Sequence, residues 1–333
     1  MNDIKNTPVV TSRIRLARNI KKFPFPMMLS EEEGNEIIEE VVKVINNDKQ
    51  FKDCFEVNIL KEIDMLMQQE MMENHLISKN LLNGYEKGAV LLSKDKKISI
   101  MINEEDHIRI QCMEKGLGFN EAYEHADRID DILENSLEYA FNEKMGFLTS
   151  CVTNVGTGLR ASAMMHLPAL KVMGELKKII QTLSKIGLTV RGAYGEGSEA
   201  LGDMFQISNQ VTLGVSEKEI IEAVKNIILQ LIEKEEKGRK FLIDNDRLLI
   251  EDKIYRSYGI LKNAKLLNYE ESMMLLSDVI LGVDLGIIEG NNSILHHIMN
   301  SIQPASLQLI YKEKLSERER DIKRAEYIGK LLN

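Results

Sequence analysis

The sequence predicts an α+β fold, in which an antiparallel sheet is flanked by helices and followed by a small domain made only of helices. Three observations lead to this prediction. Residues 89–93, 98–103 and 107–113 have the composition of strands, and the links between them are too short for parallel crossovers. Up to about residue 238, strand-like segments and segments with helical spacing follow one another in irregular order. Beyond that point every segment has a helical pattern.

Length and composition describe an ordinary soluble globular protein. The 333 residues, 44% hydrophobic and 29% charged, are enough for two domains. A net charge of −9 argues against a general nucleic-acid-binding surface. No apolar run reaches the roughly 18 residues of a membrane span, and the first residues lack a signal-peptide core, so we expect a cytoplasmic protein without membrane contact. The three cysteines have no metal-type spacing, and we predict no metal site formed by side chains.

The elements of the first domain follow in order. Residues 8–29 are extended and rich in arginine, and a helix begins after Ser30, which forms a capping box with Glu33. A Gly-, Ser- and Thr-rich run occupies residues 150–158. The other predicted elements are helices at 120–144 and 169–186, the second ending at Gly187, strands near 188–191, 203–207 and 210–214, and a helix capped by Ser216 and Glu219.

A charge run at 234–240 is predicted to be solvated and to mark the boundary between a domain at 8–238 and a helical domain at 239–333. Apolar residues on these last helices suggest that they also form a dimer interface. The predicted helices are 245–262, 269–285, 293–301, 304–313 and 316–331.

Three consecutive acids, Glu104, Glu105 and Asp106, stand at the end of a buried strand, where stability gives no reason for them. From Glu105 onward polar and apolar residues alternate, which predicts that Glu105 and Arg109 lie on one face of a strand. Of the three acids, only Glu105 is an even number of residues away from Arg109 and so would point to the same face of a strand. Glu104 and Asp106 are therefore expected to shape the turn or its electrostatics.

Other charged residues stand in extended or glycine-rich segments. Arg13 and Arg15 point the same way in a strand, which suits phosphate binding but is also typical of a solvated strand face. In the run from 151 to 162, Gly156 and Gly158 would let the backbone approach a ligand, although a simple turn has the same composition and the Walker A spacing is absent. The remaining candidates each have an ordinary structural alternative: Cys151, His75, the loop with Arg191, Glu196 and Glu199, and the helical pair Arg320 and Arg324.

Taken together, four of these segments resemble the guanidino-phosphotransferases, the phosphagen kinase family. They are Ser-Arg-Ile-Arg at 12–15, Asn-Glu-Glu-Asp-His-Ile-Arg at 103–109, Cys-Val-Thr-Asn-Val-Gly-Thr-Gly-Leu-Arg-Ala-Ser at 151–162, and Arg-Gly-x-x-Gly-Glu-x-x-Glu at 191–199. The resemblance covers about residues 8–235 and implies the phosphagen kinase catalytic fold. It is closer still to the bacterial McsB-type protein arginine kinases, through residues 194–214 and the terminal Arg-Asp-x-x-Arg-Ala.

The resemblance implies roles for individual residues. Glu105 and Glu199 match the carboxylates that hold and deprotonate the acceptor guanidinium, and Cys151 matches the thiol beside it. Arg320, Asp321, Arg324 and Ala325 match an allosteric phosphoarginine-binding motif. The positions that match an ATP site, with Mg²⁺ bound through ATP, are Thr11, Ser12, Arg13, Ile14, Arg15, His75, Arg109, Arg160, Ala161, Ser162, Ala163, Met164, Arg191, Gly192, Ala193, Tyr194, Gly195 and Glu196.

Departures from the small-molecule enzymes favour a protein substrate. Tyr194 stands where those enzymes place another phosphate-binding arginine, Gln206 replaces an aspartate, and Val152 replaces a proline beside Cys151. Arg13 also stands near the start of the sequence. In the small-molecule enzymes, a helical domain that helps to cover free arginine or creatine precedes this position. A small-molecule arginine kinase and a non-catalytic phosphoarginine-binding adaptor remain alternatives.

The resemblance also implies cellular partners and a role in the stress response. Kinases of this type mark proteins for degradation by ClpC and ClpP, respond to a McsA-type activator, act on the repressor CtsR and form homodimers. For this chain we expect the same partners, together with arginine-bearing protein substrates and no direct contact with nucleic acid.

Overall fold

The computed structural model describes residues 7–84, 86–192 and 200–332. An eight-stranded sheet, in which every neighbouring pair is antiparallel, has the order β2-β3-β4-β5-β1-β8-β10-β9, and β6 and β7 form a separate hairpin. The predicted α+β fold with an antiparallel sheet is therefore confirmed. The strands are β1 (Val9–Arg18), β2 (Phe55–Ile59), β3 (Ala89–Ser93), β4 (Ile98–Ile102), β5 (Ile108–Lys115), β6 (Phe141–Asn142), β7 (Gly146–Phe147), β8 (Leu159–His166), β9 (Leu188–Gly192) and β10 (Met204–Asn209).

Helices flank the sheet and form most of the chain after residue 216. The predicted capping boxes at Ser30 and Ser216 both form, with the hydroxyl accepting from the third helical N–H and the glutamate accepting from the cap. The α-helices are α1 (Glu31–Asn47), α2 (Met65–Glu73), α3 (Lys79–Asn83), α4 (Phe119–Glu134), α5 (Pro168–Val172), α6 (Leu176–Lys185), α7 (Glu217–Asn263), α8 (Tyr269–Asp284), α9 (Asn292–Ser301), α10 (Pro304–Tyr311) and α11 (Glu317–Leu332).

The two faces of the sheet differ because side chains alternate along each strand. In the central strand β1, Ile14 and Leu16 are fully buried in the main core, which α1, α4 and α7 cover. Arg13 and Arg15 point to the other face. Helices α2 and α3 pack on that other face only near β3 and β4, where a smaller apolar cluster forms. The centre of the second face is therefore left to polar side chains.

Two predicted helices of the first domain were wrong. The helix predicted at 120–144 ends at Glu134, and the residues after it form the β6–β7 hairpin. Leu137, Tyr139 and Phe141 recur every second residue, which is a strand period that the helical prediction overlooked. The predicted helix at 169–186 is two helices, because Gly174 adopts a left-handed conformation (φ +69°) between them.

The predicted strand at 210–214 does not form. Thr212 instead bonds to the glycine-rich loop: its hydroxyl donates to the carbonyls of Thr153 (2.9 Å) and Val155 (2.7 Å), and its carbonyl accepts from the N–H of Thr157 (3.0 Å). The Thr212 carbonyl, which a strand would use to pair with a neighbouring strand, is thus bonded to the glycine-rich loop.

The charge run at 234–240 is not solvated throughout, contrary to prediction. Glu235 is fully buried and Arg239 is 6% exposed. The carboxylate of Glu235 accepts from the first N–H groups of α5, at Ala169 and Leu170, and from Arg239, which also pairs with Asp284 at 2.7 Å. The predicted domain boundary at 238 thus falls inside the long helix α7.

Helix α7 is interrupted at Asp246 (φ −154°, ψ 77°), whose carboxylate accepts from the N–H of Leu249 and so caps the second segment. The helices after this point lie close to their predicted positions and share a second hydrophobic core, formed by α7, α8, α9 and α11. In the described part of the chain, no helix is long and apolar enough to span a membrane.

Candidate active site

Five arginines lie on the second face of the sheet. Because directly opposed residues of antiparallel strands point to the same side, the register brings arginines from four strands together. Arg13 and Arg15 come from β1, Arg109 from β5, Arg160 from β8 and Arg191 from β9. The opposed pairs are Arg13–Ser162, Arg15–Arg160, Arg15–Gln111, Ala17–Arg109, Gln206–Met164 and Gln206–Arg191. We call this group of five the arginine face.

The cations of the arginine face are buried and repel one another. Burial and repulsion from Arg109 and Arg160 lower the pKa of Arg13 to about 9, and burial followed by the neighbouring arginines lowers the pKa of Arg15 well below its usual value. The Nε of Arg15 is buried and has no hydrogen-bond partner among the residues that the structure describes. A buried, unsatisfied donor within a positive cluster is suited to binding a phosphate group.

Glu104, not Glu105, is the ion-pair partner of Arg109. Its Oε1 lies 2.6 Å from Nη1 of Arg109 and 2.5 Å from the hydroxyl of Ser78, and its side chain is 1% exposed. The prediction that Glu105 and Arg109 lie on one face of a strand was wrong, because β5 begins only at Ile108. Asn103 adopts a left-handed conformation (φ +56°) and starts a turn before that strand.

Glu105 lies on this turn, half-buried between like and unlike charges. Burial raises its pKa, as do its neighbours Glu104 and Asp106, while Arg109 and Arg160 oppose the rise. The carboxylate of Glu105 makes no hydrogen bond to another residue in the described ranges. A partly desolvated carboxylate with a raised pKa and a free acceptor is suited to taking a proton from a donor bound nearby.

The turn with Glu105 is bonded to the loop with Cys151. Oδ1 of Asp106 accepts from the side-chain amide of Asn19 (2.6 Å) and from the N–H of Ser150 (2.7 Å), and Oδ1 of Asn19 accepts from the N–H of His107 (2.9 Å). Asp106 therefore shapes the turn, as predicted, and sets the Cys151 loop beside it. Asn19, Ser78 and the pairing of Glu104 were not predicted, because none of them carries a local sequence signal.

Glycines allow the Cys151 loop to pack on the protein itself rather than on a ligand. A Cβ at Gly156 (φ +116°) would lie 2.2 Å from the carbonyl oxygen of Thr212, and one at Gly158 (φ +63°) would lie 2.5 Å from that of Ala17. The close approaches expected toward a ligand are thus made to neighbouring backbone. Within the loop, Sγ of Cys151 lies 3.0 Å from the hydroxyl of Thr153, and Val152 is 83% exposed.

His75 lies beside the arginine face. Its main-chain carbonyl accepts from Nε2 of Gln111 (2.7 Å), and Gln111 is opposed to Arg15 in the sheet. Burial, followed by the charges of Arg13 and Arg15, lowers the pKa of the His75 ring to about 4. The ring is therefore neutral at physiological pH and adds no further charge to the cluster.

The other positions matched to ATP binding are distributed differently. Ser12, Ile14, Ala161 and Ala163 face the main core and are buried, so their side chains are turned away from the arginine face. Ser162 lies on the arginine face and accepts from Nε of Arg13 at 3.5 Å. Thr11 and Met164 are partly exposed, and Gly192 ends β9. Ala193, Tyr194, Gly195, Glu196 and the carboxylate partner Glu199 lie outside the described residues.

The C-terminal motif has an exposed and a buried half. Arg320 is partly exposed and donates to the carbonyl of Leu315 (3.0 Å). Arg324 is only 2% exposed, so it does not belong to a solvated helix face, which was the structural alternative for the pair Arg320 and Arg324. Ala325 is buried beside it. The bonds of Arg324 run from Nε to the Ile302 carbonyl (3.0 Å) and from Nη1 to the Leu267 carbonyl (2.8 Å) and the Asp321 carboxylate (2.7 Å).

The described residues contain no group of His, Cys, Asp and Glu side chains that could hold a metal ion. The site is instead an arginine face, a turn with a raised-pKa carboxylate and a thiol loop bonded to that turn. This arrangement can bind a polyanion and accept a proton next to it.

Comparisons with known proteins agree with this chemistry. Residues 36–238 match the family model "ATP:guanido phosphotransferase, C-terminal catalytic domain", and residues 247–333 match "Protein-arginine kinase McsB C-terminal domain". A relative from Caldanaerobacter subterraneus subsp. tengcongensis, named protein-arginine kinase, is 48% identical over 98% of this chain and 97% of its own length. One of the same name from Clostridium acetobutylicum is 47% identical, with 98% and 97% covered.

Two solved structures are similar to this fold. A lombricine kinase is 26% identical with a TM-score of 0.60, covering 68% of this chain and 66% of its own. The duplicated taurocyamine kinase of Schistosoma mansoni, at 24% identity, is similar in fold with a TM-score of 0.62 and covers 77% of this chain and 38% of its own. From the near full-length relatives and the two matched family models, we conclude that the chain belongs to the ATP:guanido phosphotransferase family, among the protein-arginine kinases.

Proposed function

We propose that the protein transfers the γ-phosphoryl group of MgATP to arginine side chains of proteins. The observation that carries this proposal is the arginine face directly beside the turn with Glu105. Phosphoryl transfer depends mainly on positioning and charge neutralisation, which such a face provides. The relatives named protein-arginine kinase, at 46–49% identity over nearly the whole chain, support arginine as the acceptor.

The arginine face would hold the phosphates of ATP, with Arg15 in the middle of it. The buried Nε of Arg15 has no partner among the described residues, and burial with the neighbouring arginines lowers the pKa of Arg15, so a polyphosphate would supply both a hydrogen-bond acceptor and negative charge. Bound ATP supplies the phosphoryl group, together with the Mg²⁺ that accompanies it. Neutral His75 lies at the edge of the face, where it would contact the nucleoside part of ATP.

Glu105 would hold the acceptor guanidinium and take its proton as the N–P bond forms. An arginine side chain has a pKa above about 12 and is a poor nucleophile until it loses a proton. The raised pKa of Glu105 suits a proton acceptor. Glu199, outside the described residues, is proposed as the second carboxylate, and Cys151 as a thiol that orients the guanidinium without bonding to phosphorus.

The test is an assay with labelled MgATP and either casein or free arginine. We expect acid-labile phosphoarginine on casein, since a phosphoramidate hydrolyses in acid whereas phosphoserine does not. Glu105→Gln should nearly abolish transfer while ATP still binds, and Glu138→Gln, on an exposed ion pair, should be fully active. Transfer to free arginine alone would favour the small-molecule kinase. Absence of transfer with intact phosphoarginine binding would favour the adaptor.

A second, regulatory site for phosphoarginine is proposed at Arg320, Asp321, Arg324 and Ala325. Arg320 and Asp321 are partly exposed and of opposite charge, which suits a ligand with an anionic phosphoryl group and a cationic guanidinium. Arg324 already pairs with Asp321 and would orient it. Phosphoarginine affinity should fall in Arg320→Ala and stay unchanged in Arg318→Ala, on the same helix. Equal affinity in both variants would reject the site.

We also propose a homodimer formed through the C-terminal helices. Leu248 and Tyr255, both in the segment of α7 after Asp246, are seven residues apart and are 77% and 55% exposed, which suits a helix that packs against a second copy. Leu248→Asp should therefore shift the protein to monomer in light scattering. A McsA-type activator, ClpC and ClpP, the repressor CtsR, a cytoplasmic location and a stress-response role are proposed from family resemblance.

A further inference from the structure

A glutamate of the first domain caps a helix of the C-terminal domain. Glu73 is the last residue of α2, and its carboxylate accepts from the N–H of Ala305 (2.8 Å) and from the N–H and hydroxyl of Ser306 (2.8 and 2.9 Å), in the first turn of α10. The residue before α10, Gln303, forms no side-chain cap of its own. Glu73 thus supplies the cap that the local sequence of α10 lacks.

Residues on both sides of this contact donate hydrogen bonds to the other side. Nε2 of Gln303 donates to the main-chain carbonyl of Glu73 (3.0 Å), and the side-chain amide of Asn74 donates to the hydroxyl of Ser306 (3.4 Å). The carboxylate also lies at the positive end of the helix dipole, which strengthens the cap. We call this set of bonds between Glu73–Asn74 and the start of α10 the α2–α10 clasp.

The C-terminal half of the clasp is anchored in its own domain. Buried Arg324 donates to the carbonyl of Ile302, the residue immediately before Gln303, and also to the carbonyl of Leu267. The chain that enters α10 is therefore held on one side by Arg324 and on the other by Glu73. Movement of α10 relative to its domain would break these buried bonds.

His75 follows the clasp directly. It adopts a left-handed backbone conformation (φ +58°), which costs a residue with a side chain about 1 kcal/mol or more and persists only where the surroundings impose it. The clasp fixes the chain before His75, and the bond from Gln111 to its carbonyl ties it to the sheet beside Arg15. The position of His75 therefore depends on the C-terminal domain.

We propose that Glu73 is a positioning residue for ATP binding, through which the C-terminal domain holds His75 in place at the arginine face. This inference rests on the proposed function, since it takes the arginine face as the ATP site. It assigns a role in the nucleotide site to a domain that contributes none of the five arginines.

The test measures the ATP dissociation constant by calorimetry and the KM for ATP with casein as acceptor. Glu73→Ala is expected to weaken ATP binding about tenfold, because only part of the free energy of the lost charge-assisted hydrogen bonds reaches the ATP site. The kcat at saturating ATP should change less than about twofold. Gln69→Ala, exposed on the same helix and outside the clasp, is the matched control and should match the wild type. A double mutant separates positioning from general destabilisation: in a His75→Ala background, Glu73→Ala should cause no further loss of affinity.

Other outcomes would overturn the inference. Unchanged ATP affinity in folded Glu73→Ala, or losses that simply add to those of His75→Ala, would show that the clasp does not act through His75. Glu73→Gln removes the charge of the cap but keeps an acceptor for the N–H groups of α10, and it serves if Glu73→Ala does not fold; an affinity equal to the wild type would contradict the inference in the same way. A wild-type protein that binds no ATP would instead reject the proposed function itself.

Discussion

Removing the charge of Glu104 tests the electrostatics of the arginine face. Glu104→Gln keeps a side chain that can accept from Ser78 and Arg109 but leaves the guanidinium of Arg109 without its ion-pair partner. Breaking a buried pair from one side costs about 3–5 kcal/mol. Because Arg109 retains 19% exposure and glutamine retains an acceptor, we expect a loss of about 2–3 kcal/mol in the free energy of unfolding.

The same substitution should strengthen ATP binding. With neighbouring side chains roughly 8 Å apart and an effective dielectric constant of about 20–40, removing one negative charge near the phosphates favours binding by about 1–2 kcal/mol. Glu104→Gln should therefore be less stable than the wild type without nucleotide and should gain more stability from a given ATP concentration.

Thermal unfolding followed by far-ultraviolet circular dichroism, with and without ATP, measures both effects. We expect the midpoint of Glu104→Gln to fall by roughly 5–10 °C without nucleotide. Glu138→Gln is the control, because the pair of Glu138 with Lys21 is exposed and contributes less than about 1 kcal/mol. A loss no larger than that of the control, together with an unchanged response to ATP, would refute the assignment of Glu104 as the charge partner of Arg109.

Three further outcomes are expected. The acid limb of kcat/KM should lie above that of an ordinary glutamate, because Glu105 must be ionised and burial with two neighbouring carboxylates raises its pKa; a limb at the ordinary value would contradict this. Arg324→Ala should cost about 2–3 kcal/mol in thermal unfolding, since it leaves two buried carbonyls unpaired, whereas Arg320→Ala should cost less than about 1 kcal/mol. Burial lowers the pKa of His296 to about 4, so the folded state binds fewer protons than the unfolded state and stability falls from about pH 6.5 toward pH 4; a smaller fall in urea titrations of His296→Phe checks this.

The arginine face was predictable in part from the sequence. Alternation within a strand shows that Arg13 and Arg15 share a face, and that inference needs no tertiary structure. The opposition of Arg15 and Arg160 depends on the pairing of β1 with β8, strands far apart in sequence. From the sequence, only the resemblance to a family implies that the arginines of different strands belong to one site.

Two errors have a common physical cause. A strand was predicted to continue through Glu105, and the charge run at 234–240 was predicted to be solvated, because both predictions rest on the local pattern of charged residues. In the structure, Ser78 donates to Glu104 and the first N–H groups of α5 donate to Glu235, so each buried carboxylate also has hydrogen-bond partners that are distant in sequence. Local patterns do not contain such partners, and burial of a charge depends on them.

Helix α7 has a mechanical consequence for the two parts of the chain. It carries the backbone without a loop from the sheet into the C-terminal helices, and Arg239 and Asp284 join its first segment to α8. A rigid connection of this kind transmits rotation rather than absorbing it. Bending of one part against the other is therefore concentrated at Asp246, where the helical geometry is interrupted, and a glycine there would be tolerated better than one at Glu235, where the helix is continuous and packed.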